Sequence, residues 1–260
     1  MIAKYLLVLL VYSASCNSQA TNEPVEKPVA TEVNAGKFIS PGKVSDIPLP
    51  PGYVRIPMLP GSFSEYLGSI LLKADKTVYL YNGEQKQNQQ AQFAVLDISV
   101  GKKDLQQCAD AIMRLRAEFL FSQKRFSEII FRDNDGKSYV FNSPYTRERF
   151  ESYLLKVFGF CGSASLSKSL SGIDIKTIAA GDVFIRGGFP GHAVIVMDVA
   201  VNENGKKIYL LAQSYMPAQD IHILLNPMAG KAEQPWYSVD EGSELFTPEY
   251  NFLINELKTW

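Results

Sequence analysis

Residues 181–200 read "GDVFIRGGFPGHAVIVMDVA" and hold the strongest structural signal in the chain. Two apolar runs, "VFI" and "AVIVM", flank a loop of Gly187, Gly188, Phe189, Pro190 and Gly191. Glycine takes backbone conformations closed to other residues and proline has no N–H for a helix, so the loop separates two strands. His192 stands at the mouth of the second strand, and the chain has one other histidine, His222. In that position an imidazole is a catalytic base, a metal ligand or a polar cap on a buried strand.

On the C-terminal side, "KKIYLLAQS" and "DIHILL" continue as strands, and Asn204-Gly205 in "VNENGKK" marks a hairpin between the second and third. On the N-terminal side, strand-like runs occur at 78–81, 93–98, 129–131 and 139–141. Among them "DLQQCADAIMRLRAEFLF" places Leu105, Cys108, Ala109, Ile112, Met113 and Leu120 at helical spacing, with Asp104 and Gln107 as its start. A second helix is expected over 146–158, with Phe150, Leu154, Val157 and Phe158 as its apolar stripe. A third should start near Cys161 and run through "GSASLSKSL", whose serines make it dependent on packing. Helices early and an antiparallel sheet late predict an α+β domain.

The chain has 260 residues, 46% hydrophobic and 20% charged, with a net charge of −1. That balance, with lysines and arginines scattered, predicts no nucleic-acid partner. The opening "MIAKYLLVLLVYSASC" reads as a secretory signal: Lys4, then an apolar core far shorter than the roughly 20 residues that span a bilayer. Ser13, Ala14 and Ser15 lead to Cys16 as in a bacterial lipobox, so residues 1–15 are expected to be cleaved and Cys16 lipidated. Residues 16–45 are polar and aperiodic, which predicts a flexible tether, and residues 46–260 are expected to form one domain.

Of the three cysteines, Cys108 sits on the expected apolar helix face and reads as a small buried hydrophobe. Cys161, between Gly159 and Gly162, stands just ahead of a helix start, where the dipole lowers a thiol's pKa. It equally fits a small residue in a tight turn. His192 could take its proton, and Gln213, on the hairpin partner strand, could hold the imidazole. Arg186, Tyr215 and Gln219 could line a cleft around His192 and contact a polar substrate. Asp182 reads as a turn cap, Asp198 as the end of a buried strand and His222 as an outward strand residue. No ligand spacing predicts a metal, and neither a P-loop nor a dinucleotide turn predicts a cofactor.

The set "CGSAS", "GDVFI", "GHAVIVMDV" and "LAQSY" resembles NlpC/P60-type papain-like cysteine peptidases over about residues 150 to 225. The resemblance implies a helix packed on an antiparallel sheet, elaborated here by the N-terminal α/β segment, with Cys161 as nucleophile, His192 as base and Gln213 as orienter. Over nearly the whole mature chain, "LPPGYVRIP", "DLQQCADAIMRLRAEFL", "GDVFIRGGFPGHAVIVMDVA" and "LAQSYMPAQDIHIL" resemble an exported bacterial family, domain of unknown function 4846. Together these imply an envelope lipoprotein hydrolysing amide bonds, such as those of cell-wall peptides. The alternative is a non-catalytic periplasmic or surface binding lipoprotein that uses the same cleft.

Overall fold

The computed structural model describes residues 41–230, 233–240 and 242–260. The expected leader, Cys16 and the tether up to residue 40 lie outside them. In chain order the elements are β1 (Tyr53–Arg55), α1 (Phe63–Ser69), β2 (Gln92–Val95), α2 (Cys108–Ser122), β3 (Ile130–Arg132), β4 (Ser138–Val140), α3 (Arg147–Phe160) and α4 (Ser163–Ser169). There follow β5 (Ser171–Gly172), β6 (Val183–Arg186), β7 (His192–Asn202), β8 (Lys207–Gln213), β9 (His222–Leu224), β10 (Trp236–Ser238), β11 (Glu244–Phe246), β12 (Asn251–Leu253) and β13 (Leu257–Thr259). No helix among the described residues is long and apolar enough to cross a membrane.

The fold is mixed α+β. Nine strands form one antiparallel sheet in the order β2-β9-β8-β7-β6-β13-β5, with β1 added on β7 and β10 on β8. Its spine is the β7–β8 hairpin, turned where expected: Asn202 Oδ1 accepts from the N–H groups of Asn204 and Lys206, and Gly205 takes the positive φ of 76° that the turn needs. Alternation along β7 sorts the core into two layers. Ala193, Ile195 and Met197 face a cluster that includes α2, whereas Val194 and Val196 face a second cluster with Phe252 and Tyr209. A bulge between Val196 and Asp198 shifts that alternation, so Val199 joins the second cluster. Asp198 therefore does not end the strand; it lies inside β7, fully buried, with Arg55 Nε 2.7 Å from its carboxylate.

Other expectations shift for physical reasons. The helix expected from Asp104 begins at Cys108, because the Gln107 N–H is capped by Asp110 Oδ2 while Asp104 accepts from the Ala218 N–H instead. The second helix starts after Thr146, whose hydroxyl accepts from the Arg149 N–H, and runs to Phe160. Residues 78–81 make only isolated bridges, Tyr79 to Gln85 and Leu80 to Gln219, not a strand. Val44, placed in the tether by composition, is fully buried, and its N–H bonds the Ile70 carbonyl. His222, expected to face outward, is fully buried, since its face of β9 meets the second cluster rather than solvent.

Candidate functional site

The loop before β7 is pressed against α4. A Cβ on Gly191 would lie 2.4 Å from Ser163 Oγ and 2.6 Å from the Gly188 carbonyl, so glycine alone fits this approach. The loop delivers His192 as the first residue of β7, 2% exposed. Its ring packs against Tyr215, Tyr250 and Phe252, with centroids 4.6, 5.0 and 5.9 Å away. Nε2 lies 2.8 Å from Gln213 Oε1, so the residues expected to be base and orienter do meet. A carboxamide oxygen only accepts, so Nε2 carries the proton and Nδ1 keeps its lone pair. Burial lowers the His192 pKa to about 4, opposed by the bond to Gln213 and aided by nearby Lys86, so the imidazole is neutral at rest.

Behind Gln213 lies a buried polar chain. Its amide nitrogen donates to Glu249 Oε2 at 2.7 Å and lies 3.4 Å from His222 Nε2. Lys86, 7% exposed, donates to the same Glu249 oxygen at 2.6 Å and lies 3.5 Å from His222 Nε2. His222 Nδ1 faces the Asp220 carbonyl at 2.9 Å and is therefore the protonated nitrogen. Burial, then the Lys86 charge, lowers the His222 pKa to about 3.

Both described cysteines are free, buried and open onto one groove of roughly 390 Å³, rimmed by exposed Phe160, Phe189 and Met216. Cys161 caps the C-terminus of α3, two residues ahead of α4. It makes no hydrogen bond to His192, and burial, with Asp133 and Asp110 nearby, pushes its thiol up to about 12. Any lowering by the start of α4 is outweighed by that burial and by the two carboxylates. Cys108 is the first residue of α2, the helix packed across β7. Burial, reinforced by Asp110, pushes its thiol up to about 11, opposed by the backbone N–H groups of Ala109, Ala193 and Cys108 itself. Tyr215 connects the two regions: its hydroxyl, raised first by burial, also feels Glu249 and Cys108. Cys108 belongs to the core layer that Ala193 faces, whereas the His192 ring packs on Phe252 in the other layer, and no hydrogen bond joins the two.

Of the residues expected to contact substrate, Arg186 and Tyr215 lie beside His192, Arg186 as its cross-strand partner on β6. Arg186 forms a two-pronged pair with Glu256 at 2.6 and 2.7 Å and lies over Tyr250. Gln219 is 2% exposed, and its carbonyl accepts from Ser214 Oγ. Tyr215 packs on His192, and its neighbour Met216 is the one that reaches the groove. Asp182 caps as expected, accepting from the Ala179 N–H at 2.7 Å. Cys108 is buried and free, as expected of a small residue on the apolar helix face, and it lines the same groove as Cys161. Nothing local marked Lys86 or Glu249, which join the site across the fold.

No curated protein and no solved structure matches the chain. One family model does, over residues 44–145 and 141–259, nearly the whole described unit. By that match the chain belongs to the family described as domain of unknown function (4846).

Proposed function

We propose that this protein is a cysteine hydrolase of amide bonds, papain-like in plan, with Cys108 as nucleophile, His192 as base and Gln213 as orienter. The observation that carries the reading is the buried His192–Gln213 pair at the start of β7, next to the groove onto which Cys108, the first residue of α2, opens. Asp110 raises both thiols, and Asp133 raises Cys161 in addition, so Cys161 is the weaker nucleophile. At rest the thiol and the neutral imidazole lie in different core layers, so the mechanism requires them to meet around the start of β7 when a peptide fills the groove. Proton transfer to Nδ1 then accompanies attack of sulfur on the amide carbonyl. The N–H groups at the start of α2 face the sulfur and hold the oxyanion. The imidazolium then protonates the leaving amine, and water hydrolyses the thioester. The apolar rim of Phe160, Phe189 and Met216 suits a peptide carrying an apolar side chain. The leader and Cys16 place this activity in the bacterial envelope, tethered by lipid, and fatty-acid labelling lost in Cys16→Ala tests that placement.

The decisive experiment is mass mapping of protein treated with a peptidyl vinyl sulfone. An adduct at Cys108 that disappears in His192→Ala is expected. An adduct at Cys161 would exchange the nucleophile. Binding of the parent peptide without an adduct at either cysteine would replace the enzyme by a binding lipoprotein.

A further inference from the structure

Gln213 cannot by itself decide which nitrogen of His192 carries the proton. A carboxamide rotated by half a turn presents NH₂ in place of oxygen, and the imidazole would then take the opposite tautomer. What lies behind the amide removes that freedom. Its nitrogen faces two groups that accept there, the Glu249 carboxylate at 2.7 Å and the bare Nε2 of His222 at 3.4 Å. Nε2 of His222 is bare because Nδ1 spends its proton on the Asp220 carbonyl. Glu249 is held by Lys86 at 2.6 Å and by Asn88 at 3.3 Å. With both amide protons of Gln213 directed at acceptors, only its oxygen is left for His192.

We propose that Glu249, backed by Lys86 and His222, is a positioning residue: it fixes the Gln213 amide and thereby keeps the His192 lone pair on Nδ1. The tautomer it sets matters for catalysis only on the hydrolase reading above. The arrangement itself is independent of that reading. Glu249 touches neither Cys108 nor the groove, and its hydrogen bond toward the site is the one to the Gln213 amide.

The test is long-range proton–nitrogen NMR on the full chain labelled with nitrogen-15 histidine, which distinguishes protonated from bare ring nitrogens. The wild type should show His192 protonated at Nε2 only, and Glu249→Gln, which keeps an acceptor oxygen, should match it. Removing the acceptor and its cation together, Lys86→Met with Glu249→Leu, avoids stranding a buried charge and should populate the Nδ1–H form. Cys108 labelling by the vinyl sulfone should then fall by about tenfold. Should the double variant not fold, Glu249→Asp, which withdraws the carboxylate by one methylene, should show the same mixture in part. A wild type protonated at Nδ1, or a folded double variant that keeps Nε2–H alone, would overturn the proposal. Loss of labelling in the wild type with the tautomer shift intact would overturn only the hydrolase.

Discussion

His192 Nε2 and Gln213 Oε1 lie 2.8 Å apart between adjacent strands β7 and β8, both side chains buried. The bond lets an imidazole sit in the core with its one proton satisfied. Gln213→Leu strands that proton and also frees the Glu249 contact. It should destabilise the fold by about 1–3 kcal/mol, seen as a lower midpoint in urea. An unchanged midpoint would mean that the bond has no structural weight.

The two histidines make stability depend on pH in a defined direction. Unfolded, each titrates near 6.5; folded, His192 does so only at about 4 and His222 at about 3. Between these values the unfolded chain binds more protons, so stability present above pH 6.5 is lost as pH falls. The loss is about 1.4 kcal/mol per pH unit for each histidine. Asp110, Asp182 and Asp198, raised by burial, pull the other way, so the comparison must be made against a variant. Between pH 6 and 4 the wild type should lose stability more steeply than His222→Gln by about that amount per unit. Parallel curves would show that His222 titrates as a free histidine.

Burial holds the Cys108 and Cys161 thiols near 11 and 12. Iodoacetamide at neutral pH should therefore label both more slowly than free cysteine, by about two orders of magnitude, with rates climbing as pH rises. A peptidyl electrophile that fills the groove should escape this limit at Cys108 alone. Fast iodoacetamide labelling of the native protein at pH 6.5 would show a thiolate at rest.

Gly191 allows the loop to touch α4. Gly191→Ala drives a Cβ to 2.6 Å from the Gly188 carbonyl and 2.8 Å from that of Arg186, atoms that cannot step aside. A loss of about 1–3 kcal/mol in unfolding free energy is expected. The control Gly172→Ala, which meets nothing within 4 Å, should change stability by about 0.5 kcal/mol or less. Equal effects of the two changes would contradict the close approach.

The α+β class, the strands from "GDVFI" to "DIHILL" and the hairpin at Asn204-Gly205 were legible in the sequence, because alternation and turn chemistry act over neighbouring residues. So was the pairing of His192 with Gln213, since a hairpin places its two strands side by side. Two facts lay beyond local pattern: that both cysteines open onto one groove, and what stands behind Gln213. Cys108 joins the core layer of Ala193 because α2 packs across β7, a contact made by apolar faces that many helices could offer. Lys86 and Glu249 meet Gln213 from distant parts of the chain, and His222 turns inward because the second cluster covers its strand face. Periodicity tells a residue which face it occupies. Only the packed layers decide what that face meets, because burial and long-range pairing are properties of the whole core.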